Sequence, residues 1–313
     1  MKRSVQRTPG DIRTGFVTTD DGLQLHWRAV GSGPLMVCNN GVGVSTFFWK
    51  YLVDHFRDRY TIVLWDYRAH GRSARGIDPA QADLTVARHA EDLHSILSAV
   101  APDGEPAILI GHSMGCQVSL EYRRLHPARS HAIILMLGTA GRALDTFFDW
   151  GHFPKVFGAV HRLAFSIGPR LNDTIRPILE SPLAWEFARR FALVDPYYTR
   201  REDLVPYMDH LASIDIRVFL ETALQLNQHD AWDLLPTLDR PLLVIAAEKD
   251  DFTPMWCSQK IVDSTPDAEL LVLADGSHAA LIEQPETINH RIDRFLRERV
   301  SASPPLGVVP LHP

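Results

Sequence analysis

Ala107-Ile-Leu-Ile110-Gly111-His112-Ser113-Met114-Gly115-Cys116-Gln-Val-Ser-Leu-Glu-Tyr-Arg-Arg-Leu125 is the stretch on which the reading of this chain turns. Ala107 to Ile110 is a short apolar run with the length and composition of a buried strand. Met114 to Leu125 carries helix-forming residues. Between them lies Gly-x-Ser-x-Gly, whose glycines let the backbone turn tightly from strand into helix. Such a turn lifts the Ser113 hydroxyl out at the end of a sheet. The helix start behind it leaves backbone N–H groups unpaired, where they can meet a developing oxyanion. The plainer alternative is a glycine-rich connection with an inert serine. The strand on one side and the helix on the other favour a nucleophile.

Working outward, strands are predicted at Phe16 to Thr19 and Leu23 to Val30, joined by the turn signal Asp20-Asp21-Gly22. Leu35 to Asn39, Tyr60 to Trp65 and Ala132 to Leu137 read as further strands. Thr46 to Phe56 and Val86 to Val100 have helical apolar spacing, with Asp83 or Thr85 as N-cap of the second. Strands that are continuous apolar runs, alternating with helices, imply a mostly parallel, doubly wound α/β sheet covered on both faces. The rhythm stops after residue 139. From 140 to 236 no parallel strand is evident, prolines recur, and about half of the chain's aromatics gather, Trp150, Trp185, Phe187 and Phe191 among them. It resumes with a strand at Leu242 to Ala246, a strand at Glu269 to Leu273, and a helix from Pro285 to Glu298. The expected organisation is a core at 14–139 and 237–299, a helical cap at 140–236, and flexible tails at 1–13 and 300–313.

With 313 residues, 45% hydrophobic and 22% charged, the chain is long enough for a large core. A formal net charge of -6 argues against a nucleic-acid partner, which would need a basic footprint. The cysteines are Cys38, Cys116 and Cys257, an odd number without zinc-ligand spacing, so no disulfide framework and no metal site are expected. No apolar run approaches the roughly 20 residues of a membrane helix, and no signal peptide is evident. A cytoplasmic protein that does not engage membranes is the expectation.

A serine hydroxyl needs a base, and a base needs an orienting acid. Of 15 histidines, His278 is the candidate base. It stands in Asp275-Gly276-Ser277-His278, after the last strand, where a loop can reach back over the sheet end. Asp250 is the candidate acid, in Glu248-Lys249-Asp250-Asp251-Phe252-Thr253-Pro254 after the preceding strand. Asp251 is its rival and Asp145 a weaker one. Cys116, beside the elbow, is expected to be a packed small side chain.

Ser113 in its elbow, Asp250-x-x-x-Pro254, and Gly276-x-His278 followed by Glu283-Gln284-Pro285-Glu286 resemble the α/β-hydrolase superfamily. Asp66-x-Arg68-x-x-Gly71-x-Ser73 is similar to a strand-end loop of its capped esterases, C–C bond hydrolases and haloperoxidase-like members. Here that loop is expected to be held by internal ion pairs or hydrogen bonds rather than to clamp substrate. The resemblance covers roughly residues 15–299. It implies a Ser113–His278–Asp250 triad, in the chain order Ser, Asp, His, and an oxyanion hole from the backbone N–H groups of Val42 and Met114. One departure is Asn40, in Asn39-Asn40-Gly41-Val42-Gly43, where many relatives carry histidine. Asn40, Gly41, His112, Trp150 and Phe252 are expected to line the substrate pocket.

The implied activity is hydrolysis of a small hydrophobic carboxylic ester, lactone or thioester through an acyl-enzyme, with no cofactor. The partner is a hydrophobic small molecule. Alternatives with the same triad are a C–C bond hydrolase of vinylogous diketones and an acyltransferase or perhydrolase. A non-catalytic binding module is the alternative of a different class. Epoxide hydrolases and dehalogenases place aspartate where this chain has Ser113. Specificity resides in pocket walls that composition does not resolve.

Overall fold

The computed structural model describes residues 12–181, 186, 194 and 197–300. These form an eight-stranded sheet: β1 (Ile12–Thr18), β2 (Gln24–Val30), β3 (Leu35–Asn39), β4 (Thr61–Trp65), β5 (Ala107–His112), β6 (Ser130–Met136), β7 (Leu242–Ala247) and β8 (Ala268–Leu273). The strand order is β1-β2-β4-β3-β5-β6-β7-β8. β1 and β2 pair antiparallel, as do β2 and β4. The remaining neighbours are parallel. β1 starts at Ile12, inside the stretch expected to be a loose leader, because its backbone pairs with β2 from Ile12↔Val30 onward. Val300 is likewise buried rather than part of a tail. The rest of both expected tails, and Trp185, Phe187 and Phe191, lie outside the described residues.

The parallel strands β3 to β7 are buried on both faces, while the edge strand β8 is only partly covered, and the side chains alternate between two cores. Leu35, Val37, Leu109 and Leu135 pack with α2 (Val86–Val100) and α3 (Met114–Leu125). Met36, Cys38, Ile108, Ile110 and Ile134 pack on the other side, with α1 (Lys50–Phe56) and the helix Pro285–Phe295. Helix α2 buries Val86, Ala90, Leu93, Leu97 and Val100, a stripe at helical spacing. Thr85 is its N-cap and accepts from the Arg88 N–H at 3.1 Å.

Between β6 and β7 the described residues contribute no strand to the sheet. They form α4 (Phe153–Ile167), α5 (Leu171–Leu179), α6 (Arg201–Ser213) and α7 (Ile216–Leu226), with short 3-10 turns. α8 (Met255–Asp263), α9 (Ala280–Glu283) and α10 (Pro285–Phe295) complete the helices described. No helix among the described residues is long and apolar enough to cross a membrane.

The strand-end loop after β4 is locked from within. Arg68 is 1% exposed and grips Asp92 through Nε and Nη2 at 2.7 and 2.8 Å. Its Nη1 reaches Asp21 at 2.9 Å. Asp66 accepts from Ser45 Oγ at 2.5 Å and the Arg72 N–H at 3.1 Å, and meets His26 Nδ1 at 3.1 Å. The two residues brace the loop through separate partners rather than through each other.

Candidate active site

Four parallel strands deliver their carboxyl ends to one place, where open α/β sheets gather ligand-binding groups. β5 runs into Ser113, β7 into the loop of Asp250, β8 into the loop of His278, and β3 into Gly41-Val42. The turn at Ser113 depends on close backbone approach. A Cβ on Gly111 would strike the carbonyl of Gly115, and one on Gly115 would strike that of Asn39. Ser113 itself sits at φ 55°, ψ -117°. That is a left-handed conformation, which costs a non-glycine residue about 1–3 kcal/mol and is held by the packing around it.

Ser113 Oγ lies 3.0 Å from His278 Nε2. His278 Nδ1 lies 2.8 and 3.0 Å from the two oxygens of Asp250. A carboxylate only accepts, so Nδ1 carries the proton and Nε2 is the bare acceptor facing the serine hydroxyl. Asp250 is 3% exposed. It also accepts from the N–H groups of Phe252 and Thr253 at 2.9 and 3.0 Å, and from Thr253 Oγ1 at 2.8 Å. Burial pushes its carboxyl up, but His278 and the Thr253 donors outweigh burial, and the group rests below the usual carboxylate range. Asp251 is exposed, and Asp145 pairs with Arg142 at 2.5 Å. Neither rival reaches the imidazole.

The loop bearing His278 is tied at both sides of the residue. Ser277 donates its N–H and Oγ–H to the buried Glu283 carboxylate at 3.0 and 2.7 Å. Thr199, from the helical segment, donates to the same carboxylate at 2.8 Å. His112 Nε2 donates to the His278 carbonyl at 3.0 Å, and the two rings are 5.1 Å apart. Burial first, then the neighbouring His278, pushes the His112 imidazole down to about 3. It is therefore a neutral strut under the candidate base. Nothing in the sequence signalled this tie except adjacency to Ser113.

Met114 opens α3, where a backbone N–H has no carbonyl one turn back. A Cβ added at Gly41 would stand 3.2 Å from Ser113 Cβ, so the Gly41-Val42 turn lies directly against the serine. Cys116 is fully buried, and burial pushes its thiol up to about 12.

Ser113 and His278 face a cavity of about 500 Å³. Gly41, His112 and Phe252, expected at the pocket, line it together with Val42 and Phe48. Two expected residues stand elsewhere. Asn40 is buried with its amide consumed: Trp49 Nε1 donates to its Oδ1 at 2.7 Å, and its Nδ2 donates to the Trp65 carbonyl at 2.7 Å. Trp150 is 47% exposed and packs on His152 and Phe153 instead of bordering the cavity. The helical segment supplies further walls: Phe147, Phe148 and Phe153 from the aromatic-rich stretch, and Leu204, Tyr207, Leu211 and Phe219, which carry no signal in the sequence. Among the described residues no group of three or more His, Cys, Asp or Glu is placed to hold a metal ion.

The α/β-hydrolase fold family model matches residues 33–285. The chain belongs to that family, and is an enzyme of the α/β-hydrolase class. Among curated proteins it is 25% identical over 301 residues to "Putative carbamate hydrolase RutD" of Caulobacter vibrioides, covering 91% of this chain and 99% of that one. Among solved structures, a thermophilic esterase from Thermogutta terrifontis superposes with a TM-score of 0.71 at 21% identity, covering 91% of this chain and 98% of the other. The enol-lactonase from Burkholderia xenovorans LB400 gives 0.71 at 19% identity, covering 91% and 100%. At these identities the two structures bear on the fold alone.

Proposed function

We propose that the protein is a serine hydrolase that cleaves an ester-type bond in a hydrophobic small molecule. The observation that carries this is the hydrogen-bonded line Asp250–His278–Ser113 ending at the wall of an apolar cavity. Its volume, about 500 Å³, is that of a small-ligand pocket. Residues 140–236 act as the cap, and their apolar side chains select the substrate.

The steps follow from the tautomer. His278 Nε2 takes the Ser113 proton as Oγ bonds to the carbonyl carbon. The oxyanion is held by the N–H groups of Val42 and Met114. Collapse breaks the bond to the leaving oxygen, which departs with the proton from Nε2. Water then gives a proton to Nε2, attacks the acyl carbon, and releases the carboxylic acid as the proton returns to Ser113 Oγ. Asp250 stays ionised and holds the imidazolium formed in each half.

A second reading is a carbamate, favoured by the name of the Caulobacter relative. The same groups would cleave it, because a carbamate differs at the acyl substituent and not at the bond broken. A C–C bond hydrolase with a carboxylate clamp is less well supported, since no Arg or Lys is found among the described residues lining the cavity.

The test is a fluorophosphonate probe with the adduct located by mass spectrometry. Labelling at Ser113 that is lost in Ser113→Ala and His278→Ala is the expected result. A well-folded wild-type protein that takes no label overturns the reading and brings a binding module forward.

A further inference from the structure

Ser113 borders a second, smaller cavity of about 40 Å³. Val42 and Met114 edge it, and its far walls include Gln117, Thr139, Leu144 and Phe157. The two cavities share Ser113, Val42, Phe147 and Phe219 in their walls but differ in one respect that matters for chemistry. His278 lines the large one and is not among the described residues of the small one. In the mechanism proposed above, the leaving oxygen must collect its proton from His278 Nε2, so the leaving group has to lie on the His278 side, in the large cavity. The acyl substituent, pointing the other way from the carbonyl carbon, then enters the small one. From this geometry we infer that the small cavity is the acyl subsite, and that the substrates are esters of a very short acyl group with a bulky apolar alcohol.

The size of the subsite sets the limit. A cavity of about 40 Å³ has room for roughly three water-sized positions. That is the size of an acetyl or glycolyl substituent, and a butyryl chain would have to displace a lining side chain such as Phe157 or Leu144. Its polar wall includes Gln117 with Thr139 and Thr253; Gln117 is 1% exposed and lies in α3 one turn from Met114. One end of the Gln117 amide is held by His229 Nδ1 at 2.7 Å, and the other ring nitrogen is held by Glu121 at 3.0 Å. The hydrogen bond from His229, against burial and with help from Arg124, keeps the Glu121 carboxyl below its usual range. The far end of the amide has no hydrogen bond among the described residues and is free to meet a polar atom on the acyl group. Gln117 is thus a specificity-determining residue for an acyl substituent that carries a hydroxyl or amino group.

This inference rests on the Ser113 hydrolase reading, and the experiment separates the two. Wild-type protein is assayed with 2-naphthyl acetate, glycolate, butyrate and octanoate, the alcohol held constant, alongside fluorophosphonate labelling. Acetate should exceed octanoate in kcat/KM by about 100-fold, the order expected when added methylenes meet a closed wall. Phe157→Ala and, independently, Leu144→Ala should raise the butyrate-to-acetate ratio about tenfold. Gln117→Leu should lower the glycolate-to-acetate ratio about tenfold, the range for one lost hydrogen bond. A labelled, active protein that handles octanoate as well as acetate, or whose butyrate-to-acetate ratio neither wall variant moves, overturns the subsite and leaves the hydrolase standing. A folded protein that takes no label and cleaves no ester overturns both.

Discussion

From Ala107 to Met114 every side chain except that of Ser113 is buried, whereas helix α4, in the roof over the same site, turns Val156, Val160, Leu163 and Ile167 out to the surface. At the β5–α3 corner the constraint is backbone against backbone: glycine at 111 and 115 because carbonyls lie where a Cβ would be. In the roof the constraint is shape. Apolar residues at many positions would build some wall, and which of them face inward depends on how the helices lie. Substitution at Gly111 or Gly115 is therefore expected to be costly, whereas substitution in the roof is expected to be milder and to alter the shape of the cavity.

That contrast orders the expected effects. Asp250→Asn, at the base of the corner, should lower kcat on a short-chain ester about ten-thousand-fold by leaving the imidazole in the wrong tautomer, with circular dichroism unchanged. A fall of less than tenfold would mean that the acid is supplied elsewhere. Gly115→Ala should destabilise the fold by about 3 kcal/mol or more, read by urea unfolding, since a carbonyl cannot swing aside as a side chain could. Acid should act next. Asp250 and Asp66 are both held below the ordinary carboxylate range although burial pushes each of them up, the first by His278 and Thr253, the second by His26, Ser45 and the Arg72 N–H. A folded value below the unfolded one gives stability that is present above the unfolded value and lost as pH falls through the folded one. The melting temperature should therefore be steady from neutrality to about pH 5 and drop below about pH 4. A flat profile down to pH 3 would contradict it.

The roof should respond more gently. Leu211→Ala removes apolar surface from the large cavity and should raise KM for a naphthyl ester by up to about tenfold, with the melting temperature nearly unchanged. Leu163→Lys, on the outward stripe of α4, should shift stability by no more than about 0.5 kcal/mol and leave kinetics alone. A large loss of stability there would show that the stripe is covered in solution.

The same contrast governs what could be read without coordinates. Ser113, Asp250 and His278 stand in short local patterns, each at a strand end, and the structure brings the three side chains into one hydrogen-bonded line. The interval to Pro254 favours Asp250 over Asp251, and in the structure Asp250 is the one that meets His278 Nδ1 and two backbone N–H groups of its own loop. Asn40 drew attention through its place in the glycine-rich turn, yet its amide is spent on Trp49 and Trp65, partners 9 and 25 residues away. Trp150 belongs to an aromatic-rich stretch expected to close over a pocket, but composition carries no direction and its ring packs on His152 and Phe153. Tyr207, Leu211 and Phe219 look in sequence like any packing residue of a helix. The tie between Gln117, His229 and Glu121 joins α3 to a turn 112 residues further along, a distance at which single-sequence patterns are silent.

The cysteines have a practical consequence for anyone who wishes to tag this protein. Cys38, Cys116 and Cys257 are all reduced and buried. Burial pushes the thiols of Cys116 and Cys257 up to about 12, so hardly any thiolate exists near neutrality. Maleimides and iodoacetamide should pass the native fold by, and take up the three sites only as it opens. Thiol uptake then reports unfolding and phosphonate uptake reports the serine, two reagents in one tube that answer different questions without interfering.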